Sequence, residues 1–487
     1  MATTNNNIVV VMIPLPAQGH LQPLLELARR ILSSSNFTIP VHYAGSTTHL
    51  RQAQSRAHGW DPLTTPNLHF SEFQMPTLDN IPPDSNDFYP SNLIPSFYAA
   101  LEFRQPVADL VKNLSAADKF RRVVVIHDIL MSWVVQDVIT IPNTEMYFFH
   151  AVSALDVCSR ILEAKLNPDP VTPPADVAEI LQELACMEPG SDSPPPLMVK
   201  YVEKQMSCAV NYGGRNIFST CRPIDGIYLD LMQQAFKSYD EHWKTWGLGL
   251  FMNPLEMDQN IKKDTTSTPP RHHLLQWLDK QEPNSVLLVS FGSAASFTDE
   301  QIRELALGLE QSQQKFIWVL KEADRANVFA ENINGGSSTR AFVLPEGYEK
   351  RAEGRGIVER GWAPQLEVLE HASTGGYLCH CGWNSVMESI SMGVPIAAWP
   401  LHTDHPRTAL LLIKGLKIGI YVRDWAHRNE LVKAETIHNA VKILMDSTEG
   451  EKLRQKAAEL KDTVKASFMD GGATKKDIES FMSYITR

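Results

Sequence analysis

Trp362–His405 reads WAPQLEVLEHASTGGYLCHCGWNSVMESISMGVPIAAWPLHTDH. Its apolar runs Tyr377–His380 and Ile396–Trp399 are short strands in this reading, with a helix between them that runs through Met392. His380, Asn384 and Ser385 flank the start of that helix. The unpaired N–H groups and the dipole of a helix N-terminus favour phosphate, so the stretch is suited to an anionic ligand. Cys379-His380-Cys381 invites a metal reading. A second ligand pair at usable spacing is missing, so buried thiols are expected instead.

Outward from this stretch, strands alternate with helical segments, the pattern of a parallel α/β sheet. Upstream, Val286–Phe291 is a buried strand followed by Gly292-Ser293, and a helix opens near Asp299-Glu300, acidic residues suited to a first turn. Phe316–Leu320 and, downstream, Ile418–Val422 are further strands. A separate series occupies the first half. Ile8–Ile13 is a continuous apolar run, a Pro/Gly loop follows, and a helix covers about Leu21–Leu32. Val123–Ile126 is another buried strand, ending at His127-Asp128. Leu166–Pro196 reads as a variable helical and loop region, and Asp324–Arg340 as a mobile loop. The expected division is an N-terminal domain over 1–252, a linker over 253–270 and a C-terminal domain over 271–487, with the last helix packing back on the first domain. Two doubly wound α/β parallel-sheet domains facing each other across a cleft form the GT-B arrangement, and open sheets of this kind bind ligands beyond the carboxyl ends of their strands.

The 487 residues suit two large domains, and 43% hydrophobic with 21% charged content is ordinary for a globular protein. A net charge of −11 argues against a nucleic-acid surface and leaves any anionic ligand to local groups. Six cysteines are too sparse for a disulfide framework. No apolar run reaches membrane-spanning length, and Met1–Asn7 lacks a basic signal-peptide region, so a cytoplasmic location is expected.

The quoted stretch resembles, nearly position for position, the signature box of plant family 1 glycosyltransferases, which move a sugar from a UDP-sugar to a small lipophilic acceptor. Singly, a Trp is usually core, an Asn or Ser a cap, and a Glu a solvated helix face; one ordered box reverses that balance. The resemblance implies a role for each member. Trp362 is a platform for uracil, with the Ala363 backbone at the base's edge. Glu388 suits the ribose diol. His380, Asn384, Ser385 and the helix N-terminus meet the diphosphate, with Ser293 added after its Gly292 turn. Gln365 and Gly382 fall in the same UDP pocket, as does Gly19 from the first domain. Trp383, Asp404 and His405 surround the sugar. The box ends in Asp-His where the family most often has Gln last, a residue associated with glucose. His there is associated with galactose or a pentose such as arabinose. The donor expectation is therefore UDP-glucose or, because of His405, UDP-galactose, UDP-arabinose or UDP-xylose.

A glycosyl acceptor hydroxyl needs a base within hydrogen-bond reach. His20, in the loop Pro16–His20 after the first strand, is the candidate, with Gly19 leaving room for a ligand. Asp128, at the carboxyl end of another strand, is its partner: a carboxylate on one imidazole nitrogen fixes the tautomer and stabilises the imidazolium. His127 is read as supporting. The resemblance implies direct displacement with inversion, no metal and no cofactor beyond the UDP-sugar co-substrate, in a monomer. Ile13–Leu21, His42–Ser46, Leu93–Phe97, Ile126–Asp128 and Val422–Trp425 look most similar to the zeatin O-glycosyltransferase branch, whose members also act on flavonoids and other phenolics. A non-catalytic UDP-sugar-binding or partner-binding relative is the alternative, opposed by the intact His20 and Asp128. A dinucleotide-dependent reductase would need Gly-x-Gly-x-x-Gly after the first strand, and Pro14–His20 holds only Gly19.

Overall fold

A computed structural model describes residues 8–76, 89–116, 120–187, 194–209, 212–238, 243–249, 271–293, 295–320 and 343–487. The expected linker 253–270 and mobile loop 324–340 lie outside the described residues. Two all-parallel sheets organise the chain. The first holds β1 (Ile8–Ile13), β2 (Val41–Ser46), β3 (Leu68–Phe73), β4 (Arg122–Asp128), β5 (Thr144–His150), β6 (Arg215–Phe218) and β7 (Lys244–Gly247), in the order β3-β2-β1-β4-β5-β6-β7. The second holds β8 (Val286–Ser290), β9 (Lys315–Val319), β10 (Gly356–Glu359), β11 (Thr374–Cys379), β12 (Ile396–Ala398) and β13 (Gly419–Tyr421), in the order β10-β9-β8-β11-β12-β13.

Both sheets follow one plan. The chain starts in the middle, winds out to one edge, then returns and winds out to the other. The reversal falls between β1 and β4 in the first sheet and between β8 and β11 in the second. At such a switch point the connections leave in opposite directions and open a crevice at the strands' carboxyl ends. The central strands are predominantly apolar because helices cover both faces: every residue of β1, β8 and β11 is buried.

The halves are not separate bodies. One apolar cluster includes Leu155, Tyr228 and Leu231 beside the first sheet together with Val386, Ile390, Leu410 and Leu411 beside the second. The final helix, Ala473–Thr486, returns to the first sheet and buries Phe481 and Ile485 in its core. Arg222 binds Asp477 of that helix through Nε at 2.8 Å. Among the described residues no helix is long and apolar enough to cross a membrane.

Candidate active site

Both switch points open into one cleft. Ser293 follows β8 and His380 follows β11; the helix carrying His20 follows β1, and Asp128 ends β4. Every expected site residue except Asp128 lines the cleft, and Asp128 stands directly behind His20.

The donor side is built around the His380 imidazole. Gly292, at φ 74, sits so close that a Cβ there would lie 2.7 Å from the ring, and a Cβ on Gly382 would lie 2.3 Å from Nε2. The ring thus occupies the space that side chains at 292 and 382 would need. Burial pulls its pKa down to about 4, so it is neutral, and Nδ1 is buried with no protein partner among the described residues. Cys381, at φ 65, turns the chain into Gly382, which opens the helix Trp383–Met392. No side chain caps that helix, and its first turn carries no acidic residue. Its leading N–H groups are free of competing carboxylates, as a phosphate site requires.

Toward the mouth, Gln365 donates from Nε2 to Glu388 at 2.6 Å and to Ser385 Oγ at 3.2 Å, while Tyr377 donates to its carbonyl oxygen at 3.2 Å. Gln365 thus orients both neighbours. Burial raises the Glu388 pKa to about 7, opposed by the Gln365 bond and aided by Glu367. Trp362 is 57% exposed, with the His58 ring stacked on it at a centroid distance of 6.2 Å, in keeping with a stacking surface rather than a core residue. Ala363 follows it on the cleft wall. Cys379 and Cys381 are free, buried thiols, and among the described residues no cluster of three or more ligating side chains is arranged to hold a metal.

Deeper in, Trp383 is buried with Nε1 unpartnered among the described residues. Asp404 and His405 lie at the start of the short helix His405–Leu410. Burial, then the charge of Asp156, raises the Asp404 pKa to about 6, while Thr403 and Arg160 act the other way. His405 packs edge-on against His380, ring centroids 4.9 Å apart, and burial holds it neutral.

On the facing wall, His20 Nδ1 is 2.6 Å from Asp128 Oδ2, and the other Asp128 oxygen accepts from the Leu130 N–H at 2.9 Å. Asp128 is fixed from two sides, so it in turn fixes the imidazole with Nδ1 protonated and Nε2 carrying the lone pair. His127 points elsewhere: it is fully buried, donates from Nδ1 to the Asp128 carbonyl at 2.9 Å, and packs on Phe148 and Tyr212.

One expectation needs correction. His20 is not in a loop. The first helix begins at Gln18, so Gly19 and His20 form its first turn. A Cβ on Gly19 would meet only Asn384 Nδ2, at 3.8 Å, so the space beside it is open. Gly19 also contributes its carbonyl. Pro23, inside the helix, has no N–H to give the carbonyl four residues back, which is that of Gly19. That oxygen accepts from Asn384 Nδ2 at 3.1 Å, across the cleft.

The cleft also includes residues outside the expected set: His58, Tyr89, Asp156, Arg160 and His402. Arg160 pairs with Asp156 through two bonds of 2.9 Å, and Arg407, two residues past His405, reaches Glu163 at 2.8 Å and Ser159 at 3.0 Å in the opposite half. His402 alone of these was within reach of sequence reasoning, being three residues from His405 in the same box.

Comparison with known proteins shows the family. Residues 6–254 match the family model described as "Glycosyltransferase, N-terminal domain", and residues 257–452 match "UDP-glucoronosyl and UDP-glucosyl transferase". Zeatin O-glucosyltransferase of Phaseolus lunatus is 43% identical over 99% of this chain and 97% of its own. Zeatin O-xylosyltransferase of Phaseolus vulgaris is 41% identical over 99% and 98%. Among solved structures, Phytolacca americana UGT2 complexed with UDP-2fluoro-glucose and pterostilbene superposes with a TM-score of 0.67 at 25% identity, covering 98% of each chain. Medicago truncatula UGT71G1 complexed with UDP-glucose shares the fold at 22% identity, with a TM-score of 0.69 over 100% of each chain. The chain is a GT-B UDP-glycosyltransferase and belongs to plant family 1, within the zeatin O-glycosyltransferase branch.

Proposed function

We propose that the chain transfers a sugar from a UDP-sugar to a hydroxyl of a small plant metabolite, a cytokinin such as zeatin or a phenolic, with inversion and without a metal. The observation that carries this reading is the 2.6 Å His20–Asp128 bond, with the lone pair of His20 Nε2 left for an acceptor on a wall of the donor cleft. The acceptor O–H gives its proton to His20 Nε2. Its oxygen bonds to the anomeric carbon as the bond from that carbon to the UDP oxygen breaks. One displacement inverts the centre. The diphosphate's charge is received by His380, Ser293 and the N-terminus of the helix Trp383–Met392. Trp362, Ala363 and Glu388 hold the nucleoside, and Trp383, Asp404 and His405 hold the sugar. The acceptor assignment is supported by the zeatin specificity in the names of the bean relatives. The protein would work as a cytoplasmic monomer.

A panel of UDP-glucose, UDP-galactose, UDP-xylose and UDP-arabinose against zeatin and flavonoid acceptors tests the reading, with products identified by mass and anomeric configuration by NMR. Tight UDP binding without turnover on any of them would favour the non-catalytic alternative. Activity is expected to survive excess EDTA, since protein groups receive the phosphates; complete loss restored by Mn²⁺ or Mg²⁺ would defeat that part. His405→Gln is expected to raise the ratio of UDP-glucose use to UDP-galactose or UDP-arabinose use about fivefold, the worth of one changed hydrogen bond. A wild-type enzyme already strongly selective for glucose, and unmoved by the substitution, would assign sugar choice to the rest of the pocket.

A further inference from the structure

We infer that His402 reads the donor sugar together with His405: one hydroxyl of the sugar donates to His402 Nε2 and accepts from His405 Nε2–H. The inference rests on the UDP-sugar reading of the cleft and adds to it a specificity-determining residue and a division of labour between two rings.

Hydrogen-bond bookkeeping fixes both tautomers. Thr403 Oγ1 donates to Asp404 Oδ1 at 2.9 Å and stands 3.1 Å from His402 Nδ1. A hydroxyl has a single proton, and Thr403 has given it to Asp404, so toward His402 it accepts and Nδ1 carries the hydrogen. The His402 ring, buried and beside His380, is neutral. Nε2 therefore holds a lone pair, and it is buried with no protein partner among the described residues. An acceptor removed from water and left unpaired is costly, and His402 lines the cleft, so a ligand O–H is the natural partner.

His405 is the complement. Its Nδ1 receives the backbone N–H groups of His402 at 3.3 Å and Leu401 at 3.4 Å. That nitrogen holds the lone pair, so Nε2 carries the hydrogen. The two ring centroids are 4.3 Å apart. The turn joining them holds Thr403 at φ 52, a conformation unfavourable for a β-branched residue. An acceptor and a donor on adjacent rings match a sugar hydroxyl, which offers one of each. A glutamine at 405 would carry both functions in one carboxamide, so His402 supplies what an imidazole at 405 cannot.

A double-mutant cycle tests this. kcat/KM for the wild type's preferred donor is measured in the wild type, His402→Phe, His405→Gln and the double variant. His402→Phe should lose about fivefold to tenfold in the wild-type background and less than about twofold in the His405→Gln background. His402→Gln, which keeps an acceptor, should retain most activity. UDP affinity by calorimetry should stay within about twofold throughout, because UDP lacks the transferred sugar that the two rings would read. Equal losses in both backgrounds, no loss in either, or a loss of UDP affinity that accounts for the effect would each overturn the inference. A wild-type protein that fails to bind UDP would instead overturn the reading on which it rests.

Discussion

His20→Ala is expected to lower kcat by about 10²–10⁴ while leaving UDP affinity within about twofold of wild type. In the proposed mechanism the imidazole, held by Asp128, removes the acceptor proton, whereas the nucleotide is assigned to residues of the opposite half. A variant that turns over at the wild-type rate would remove His20 from the mechanism. The pH profile gives a second readout. Burial draws the His20 pKa down, but the Asp128 charge and hydrogen bond, with the more distant Asp404, carry it net above 6.5. A base works only when unprotonated, so kcat/KM should fall as pH drops through that raised value. Asp128→Asn removes the two main raising causes and should shift this acid limb to lower pH. Its loss at the plateau should be smaller than that of His20→Ala, because solvent partly stabilises the imidazolium.

Gly382→Ala is expected to cost about 10²-fold in kcat/KM for the donor, comparable with His380→Ala, and to weaken UDP binding. Alanine adopts the observed φ −62, ψ 136 without strain, so the backbone is not the cause. The added Cβ would lie 2.3 Å from His380 Nε2, and the ring has no retreat past Gly292, where a Cβ-sized space is already filled by the same imidazole. The ring must leave the position from which, in the proposed mechanism, it meets the diphosphate. Near-wild-type kinetics, with the melting temperature unchanged, would show that the phosphate is held without it.

The donor half was legible because its chemistry is local. From Trp362 to His405 the chain makes strand, turn and helix in order, so the positions of His380, Asn384 and Glu388 follow from a single stretch. The acceptor half was legible only at its two strand ends. His58, Tyr89 and the Asp156–Arg160 pair come from three separate segments, which meet only through the packing of the first sheet. No spacing rule announces them. The start of the first helix was misplaced for a physical reason. Pro16 and Gly19 read as loop signals, yet a helix's first turn has no intrahelical N–H bonds to lose, so a glycine there is cheap. The 253–270 and 324–340 expectations concern segments outside the described residues.

The bond between Asn384 and the Gly19 carbonyl spans the two halves beside the proposed reaction centre. Pro23 has no N–H to give that carbonyl, and the donor comes from the opposite half instead. One such bond contributes on the order of 1 kcal/mol. It adds little grip to halves already joined by a common apolar cluster, but it serves as a gauge. It is satisfied only at one spacing between the start of the first helix and the start of the helix Trp383–Met392, so the residue beside His20 and the residue beside Trp383 keep a common register.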